Sequence, residues 1–244
     1  MSPLLSLSHT SKSYWRGPNE TVVLADVSLD VRAGEIVAIW GRRGAGKTTL
    51  LKVAAGLEAP DRGIVSFEGH DLSAPRPGLA YLLSTSIGWV QRSGPLSEGM
   101  LAIEYVALPL LGRASRREAL RRASAALAQV GVRDCAQRRW SALTDSERTL
   151  VCIAHALVRE PRLLIADDPT ANLDILQREE VIGLLAAAAE QDGLGVLMTV
   201  PDMPEMLGAH RIGSLSEGGL ILSQDGQEED EENVIDFPGH QRSL

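Results

Sequence analysis

The chain has 244 residues, enough for one α/β domain with a sizeable core and a small inserted subdomain; 44% are hydrophobic and 23% charged, ordinary for a soluble globular chain. Its net charge of −8 is gathered in the last stretch, where seven acids (Asp225, Glu228, Glu229, Asp230, Glu231, Glu232 and Asp236) stand against one base, Arg242, and what precedes is nearly neutral. These figures give no support to a nucleic-acid partner, no apolar run nears the roughly 20 residues of a membrane span, no signal peptide is expected, and two cysteines (Cys135 and Cys152) suit a reducing compartment rather than a disulfide framework.

Short β-type runs open the chain at residues 4–7 and 22–31. Residues 35–40 form an apolar run that ends at Gly41. A glycine-rich loop follows, then a predicted helix over residues 49–55, stopped by Gly56. Residues 64–67 read as a strand with a turn at Glu68 and Gly69, and residues 87–90 as another strand. From about residue 93 the pattern becomes helical. Ala119, Leu120, Ala123, Ala126, Leu127 and Val130 recur at helical spacing and make one apolar face. The basic cluster from Arg113 to Arg122 reads as the polar face of that helix. A helical subdomain is therefore expected at about residues 93–158, inserted into the α/β pattern. That pattern resumes with a buried strand at 162–166, a helix over 175–191 and a strand at 195–199. Residues 212–215 and 220–222 close the domain, which is expected to span 1–223. Residues 224–244 are expected to be a solvated, disordered acidic tail.

Gly41-Arg42-Arg43-Gly44-Ala45-Gly46-Lys47-Thr48 fits G-x-x-x-x-G-K-[ST] without a gap. Glycines let backbone N–H groups turn inward around phosphate oxygens, and the following helix aims its positive end at the same anion. Strand, glycine loop and helix stand in the order such a loop requires. Lys47 is expected to reach the β- and γ-phosphates of ATP, and Thr48 to hold Mg²⁺. Leu163-Leu164-Ile165-Ala166-Asp167 is a buried strand ending in a carboxylate. It supplies a second ligand for the same ion, directly or through a water.

Three further segments narrow the family: Lys12-Ser13-Tyr14 at the first hairpin, Ile87-Gly88-Trp89-Val90-Gln91, and Asp168-Pro169-Thr170-Ala171-Asn172-Leu173-Asp174. With the phosphate loop they resemble the ATP-binding subunits of ATP-binding-cassette (ABC) transporters, over about residues 4–222. Glu104-Tyr105-Val106-Ala107-Leu108-Pro109-Leu110-Leu111 looks like the branch that includes lipoprotein-release and macrolide-export transporters. The resemblance implies an α/β phosphate-loop NTPase core with an antiparallel β edge and an inserted helical subdomain. It implies that Tyr14 stacks on adenine, with Trp15 as the alternative. Gln91 would bridge the metal and the membrane partner. Asp174 would contact a second subunit, cap the next helix, or both. The implied nucleotide-binding set is Tyr14, Gly41, Arg42, Arg43, Gly44, Ala45, Gly46, Lys47, Thr48 and Thr49. The implied metal set is Thr48, Gln91 and Asp167, and the implied catalytic set is Asp168 and Gln91. ATP and Mg²⁺ are the expected ligands. A membrane permease and a second ATP-binding subunit, identical or not, are the expected partners, which places the chain at the cytoplasmic face of the membrane.

Three positions depart from the family pattern. The signature, usually Leu-Ser-Gly-Gly-Gln, reads Leu143-Thr144-Asp145-Ser146-Glu147. Thr144 and Glu147 still form a capping box, so a helix start is expected there. Asp145, however, would bring a carboxylate to a partner's γ-phosphate. Two unit charges about 5 Å apart at an effective dielectric near 20 repel by roughly 3 kcal/mol, about a hundredfold against closure. The residue after the metal aspartate is usually Glu and here is Asp168, one methylene shorter; misplacement on that scale is expected to slow hydrolysis on the order of 10²-fold. Val200 takes the place of a histidine that contacts the γ-phosphate and cannot donate a hydrogen bond. Arg42 and Arg43 either pair with a partner's Asp145 or Glu147 or stay in solvent. The expected function is an ATP-binding transporter subunit with slow hydrolysis; the alternative is a hydrolysis-deficient regulator or scaffold of a membrane complex.

Overall fold

Ten strands and five α-helices are found in the computed structural model, which describes residues 2–73, 83, 85–90, 94, 95, 97–170, 173–200 and 208–223. The strands are β1 (Leu5–Arg16), β2 (Asn19–Val31), β3 (Ile36–Trp40), β4 (Arg62–Phe67), β5 (His70–Asp71), β6 (Ile87–Val90), β7 (Leu163–Asp167), β8 (Gly195–Val200), β9 (Arg211–Ser216) and β10 (Gly219–Leu222). The helices are α1 (Lys47–Ala54), α2 (Ala102–Ala107), α3 (Arg116–Gln129), α4 (Asp145–Leu157) and α5 (Ile175–Asp192). An antiparallel sheet runs in the order β2-β1-β4-β5, and a mixed sheet in the order β10-β9-β3-β8-β7-β6. In the mixed sheet only the β9–β10 pairing is antiparallel.

The central strands are apolar along their length because both faces are covered. Alternation sorts the side chains. Ile36 and Ala38 of β3, Leu164 and Ala166 of β7, and Val196, Met198 and Val200 of β8 pack into one core with α2, α3, α4 and α5. Val37, Ile39, Leu163, Ile165 and Leu197 face the other way, into a core with α1 and the antiparallel sheet. The parallel strands thus clamp both layers, and their C-terminal ends lie side by side, with Trp40 opposite Val200 and Asp167 opposite Thr199.

Boundaries differ from the expected ones where hydrogen bonding, not apolar pattern, sets them. The expected strand at 4–7 continues to Arg16 as one arm of a long hairpin, with register shifts that break the period of two. Helix α1 begins at Lys47 rather than Thr49, so the lysine and threonine of the glycine loop form its first turn. Helix α3 buries Ala119, Ala123, Ala126 and Leu127, with Val130 beyond its end, and Leu120 packs half-buried beside them. Tyr105 of α2 stacks on His155 of α4 at 4.4 Å and meets Trp140 edge-on at 5.4 Å. The acidic stretch from Gln224 lies outside the described residues.

One buried ionic cluster ties β9 to the start of β3. Arg211 donates to Glu35 at 3.1 Å and to the Asp30 carbonyl at 3.2 Å, while Glu35 accepts the Arg32 N–H at 2.7 Å. His210 adds a ring nitrogen that accepts the Ile36 N–H at 3.0 Å.

Candidate functional site

The glycine loop sits between the end of β3 and the start of α1. Gly46 is at φ 100°, in the left-handed region, and a Cβ there would come within 2.8 Å of Val23; glycine is required on both counts. As the residue before α1, Gly46 offers no side-chain cap, so the first-turn N–H groups are left for an anion. An open cleft of about 790 Å³ is lined by Val23, Gly41, Arg42, Arg43, Gly44, Gly46, Lys47, Thr48 and Thr49 together with Asp167 and Asp168. Two sequence-distant motifs therefore share one cleft. Ala45 lies in the same loop, its N–H donating to the Arg42 carbonyl at 3.1 Å. The Lys47 ammonium donates to the Gly41 carbonyl, folded back along the loop. Arg42 and Arg43 are exposed.

Asp167 ends β7 and is the centre of the polar geometry. Thr48 donates to its Oδ2 at 2.7 Å, and Thr199 of β8 donates to its Oδ1 at 2.8 Å. The Thr199 hydroxyl in turn accepts the Asp168 N–H at 2.9 Å. Asp168 adopts φ 51°, unusual for a side chain with a Cβ. Hard oxygen donors from a hydroxyl and a carboxylate, 2.7 Å apart at the mouth of an anion cradle, fit Mg²⁺. Val200, at the end of β8 opposite Trp40, is packed into the core. Gln91 lies outside the described residues. Thr199 has no sequence signal as a motif; only the β7–β8 register, Asp167 opposite Thr199, brings it in.

Tyr14 is on β1, near the hairpin end, and half-exposed. Its hydroxyl donates to Glu58, which also accepts from Lys52 of α1 at 3.0 Å. Burial first, then the Glu58 carboxylate, raises the Tyr14 hydroxyl above its ordinary range, and the Tyr14 hydrogen bond holds Glu58 below the usual carboxylate range. Lys12 donates to Asp61 at 3.0 Å, and Asp61 accepts the Ser13 N–H at 2.7 Å. The Lys12-Ser13-Tyr14 segment is thus fastened to the loop after α1. Trp15, the alternative platform, is 67% exposed.

The segment Leu143–Glu147, expected to be an altered signature, leads into α4. Thr144 accepts the Glu147 N–H, Glu147 accepts the Thr144 N–H at 2.8 Å, and the capping box expected from the sequence is closed. Both carboxylates have partners on their own chain: Arg148 reaches Asp145 at 3.3 Å, and Arg138 pairs with Glu147. At the far end of the Asp168–Asp174 segment, Asp174 accepts the Gln177 N–H at 2.9 Å and caps α5.

A parallel sheet with a glycine loop at the end of a central strand, followed by a helix and faced by a strand-end aspartate, defines the class of phosphate-loop nucleotide-binding proteins. The family model of the ABC transporter matches residues 24–171, more than half of the chain. The chain is 32% identical over 225 residues to the ABC transporter ATP-binding protein YvrO of Bacillus subtilis, covering 91% of this chain and 98% of the relative. It is 36% identical over 220 residues to the lipoprotein-releasing system ATP-binding protein LolD of Pseudomonas fluorescens, covering 89% and 97%. The structure superposes with a TM-score of 0.82, at 28% identity, on the ATP-binding cassette MJ0796 in a dimeric post-hydrolysis state bound to ADP and Pi, covering 90% of this chain and 98% of that one. This chain belongs to the ABC transporter family and is an ATP-binding subunit with the cassette fold. Among the described residues no helix is long and apolar enough to cross a membrane.

Proposed function

We propose that this subunit binds Mg²⁺–ATP in the cleft between the glycine loop and Asp167, hydrolyses it slowly, and drives a membrane permease as one half of a dimer. Binding rests on one observation above the others: Thr48 and Asp167, 119 positions apart, meet at 2.7 Å beside the loop. In this reading Lys47 and the loop amides take the β- and γ-phosphates, Tyr14 carries the base, and Thr49 closes the cradle. Arg42 and Arg43 flank the phosphates from the exposed side. Thr48 and Asp167, with Gln91, hold Mg²⁺, which when bound neutralises phosphate charge. Asp168 orients the attacking water from a position one methylene short of the usual one. The dimeric state of the similar cassette bound to ADP and Pi supports a dimer here, and in this reading pairing with a permease would put the chain at the cytoplasmic membrane face. Residues 1–223 form the cassette with a helical insertion at about 93–158, and residues 224–244 an acidic tail outside it.

Phosphate release by the chain with its permease in lipid nanodiscs tests this reading. Mg²⁺-dependent release above that of Lys47→Ala is expected. The second reading, a nucleotide-binding regulator or scaffold, is favoured by Asp145 and by the core-packed Val200. It predicts full ATP binding with release no greater than that of Lys47→Ala.

A further inference from the structure

Thr199 is fully buried on β8, directly opposite Asp167 of β7. Its hydroxyl makes two bonds of opposite sense. It accepts the Asp168 N–H at 2.9 Å, since an amide nitrogen can only donate. Its single proton therefore goes to Oδ1 of Asp167, at 2.8 Å. Thr48 takes the other carboxylate oxygen at 2.7 Å. The carboxylate is thus gripped by one hydroxyl from the sheet and one from α1. Asp168 follows immediately at φ 51°, a conformation that persists in a non-glycine residue only when its surroundings enforce it. The Thr199 hydroxyl is part of that enforcement.

We infer that Thr199 is a positioning residue for the metal end of the site, an inference that rests on the reading of the cleft as a Mg²⁺–ATP site. Its bond to Oδ1 fixes the rotation of the Asp167 carboxylate, so that Oδ2 is presented beside Thr48 to a divalent cation. Its bond from the Asp168 amide pins the turn that sets where the Asp168 side chain begins. The next residue on β8 cannot substitute for it, because Val200 has no hydrogen-bonding side chain and points into the core on the opposite face. Groups that hold a metal-binding carboxylate by hydrogen bonds change metal affinity about 10–100-fold when removed. Thr199 touches the carboxylate and not the glycine loop, so the deficit belongs to the cation and not to the nucleotide.

The experiment is a titration of a fluorescent ATP analogue into the full chain, first in EDTA and then across a Mg²⁺ series, with thermal melting as a fold check. Thr199→Val, close in shape, is expected to raise the Mg²⁺ midpoint about tenfold while leaving affinity in EDTA unchanged. Thr199→Ser, which keeps the hydroxyl, is expected to restore the wild-type midpoint. Thr199→Ala supplies the same loss of the hydroxyl should the branched variant fail to fold. A wild-type midpoint retained by Thr199→Val or Thr199→Ala overturns the inference alone, as does an equal loss of affinity in EDTA. A wild-type chain whose nucleotide affinity ignores Mg²⁺ overturns the reading of the site and this inference together.

Discussion

Tyr14 donates to Glu58, and Lys52 grips the same carboxylate at 3.0 Å, so an aromatic ring on β1 is tied to the helix that follows the glycine loop. The tie matters because a half-exposed ring on a hairpin otherwise has little to fix its plane. Stacking of a base on an aromatic side chain is worth about 1–3 kcal/mol, so Tyr14→Ala is expected to weaken ATP binding at least about fivefold. Tyr14→Phe keeps the ring and loses the tether, and its effect in the same fluorescence titration should be smaller. An unchanged dissociation constant in Tyr14→Ala, with a loss in Trp15→Ala, would move the platform one residue along. Tyr14 can be picked out from a local motif, whereas Glu58 cannot. Their positions differ by 44, and no short-range pattern links a carboxylate in the loop after α1 to a strand before it.

At the scale of elements, the β2–β3 connection and β9 are joined by charge. The Arg211 and Glu35 side chains are only 10% and 8% exposed, and Asp30 also reaches Arg211, at 3.5 Å. Removing one partner of a buried pair leaves the other poorly compensated, so Glu35→Ala is expected to lower stability by about 3 kcal/mol in urea unfolding. Stability unchanged within error would show that the remaining partners of Arg211, Asp30 among them, satisfy it. Helix α4 carries a second consequence. Burial against Tyr105 pushes His155 down from its ordinary 6.5 to about 4. The folded chain then binds this proton less readily than the unfolded chain. The contribution is fully present above pH 6.5 and is lost as pH falls toward 4, a change on the order of 3 kcal/mol. Stability curves at pH 7 and pH 5 should differ by about 2 kcal/mol of it, and His155→Phe should flatten the difference. The elements themselves are largely legible in the sequence. Apolar runs mark the buried strands, because a covered strand needs no polar face. The second half of β1 gives no such signal, because Lys12-Ser13-Tyr14-Trp15-Arg16 is held by ladder bonds and leaves Tyr14, Trp15 and Arg16 at the surface.

For the whole molecule the question is turnover. In the proposed reading the cleft supplies what binding needs, while Asp145, Asp168 and Val200 stand where the resemblance expects other residues, tied to hydrolysis. Arg148 and Arg138 soften the charge of the altered signature but supply no glycine amide in its place. Combining Asp145→Gly with Asp168→Glu is expected to raise phosphate release at saturating ATP by at least about tenfold, since the first removes charge and the second restores reach at the reacting phosphate. A double variant that folds, binds ATP and turns over at the wild-type rate would place the limit elsewhere, in the permease or in dimer closure. Sequence by itself determined the class, the family and the phosphate loop. The family follows from the resemblance of several motifs, and the loop from contiguous spacing: glycines, Lys47 and Thr48 act through a backbone that residues 41–48 define alone. The tertiary structure decided how the loop meets Asp167, that Thr199 stands behind it, and which cations stand beside Asp145 and Glu147. Strand register and helix packing, not neighbourhood along the chain, bring those groups within hydrogen-bonding distance, and register is set by the whole sheet.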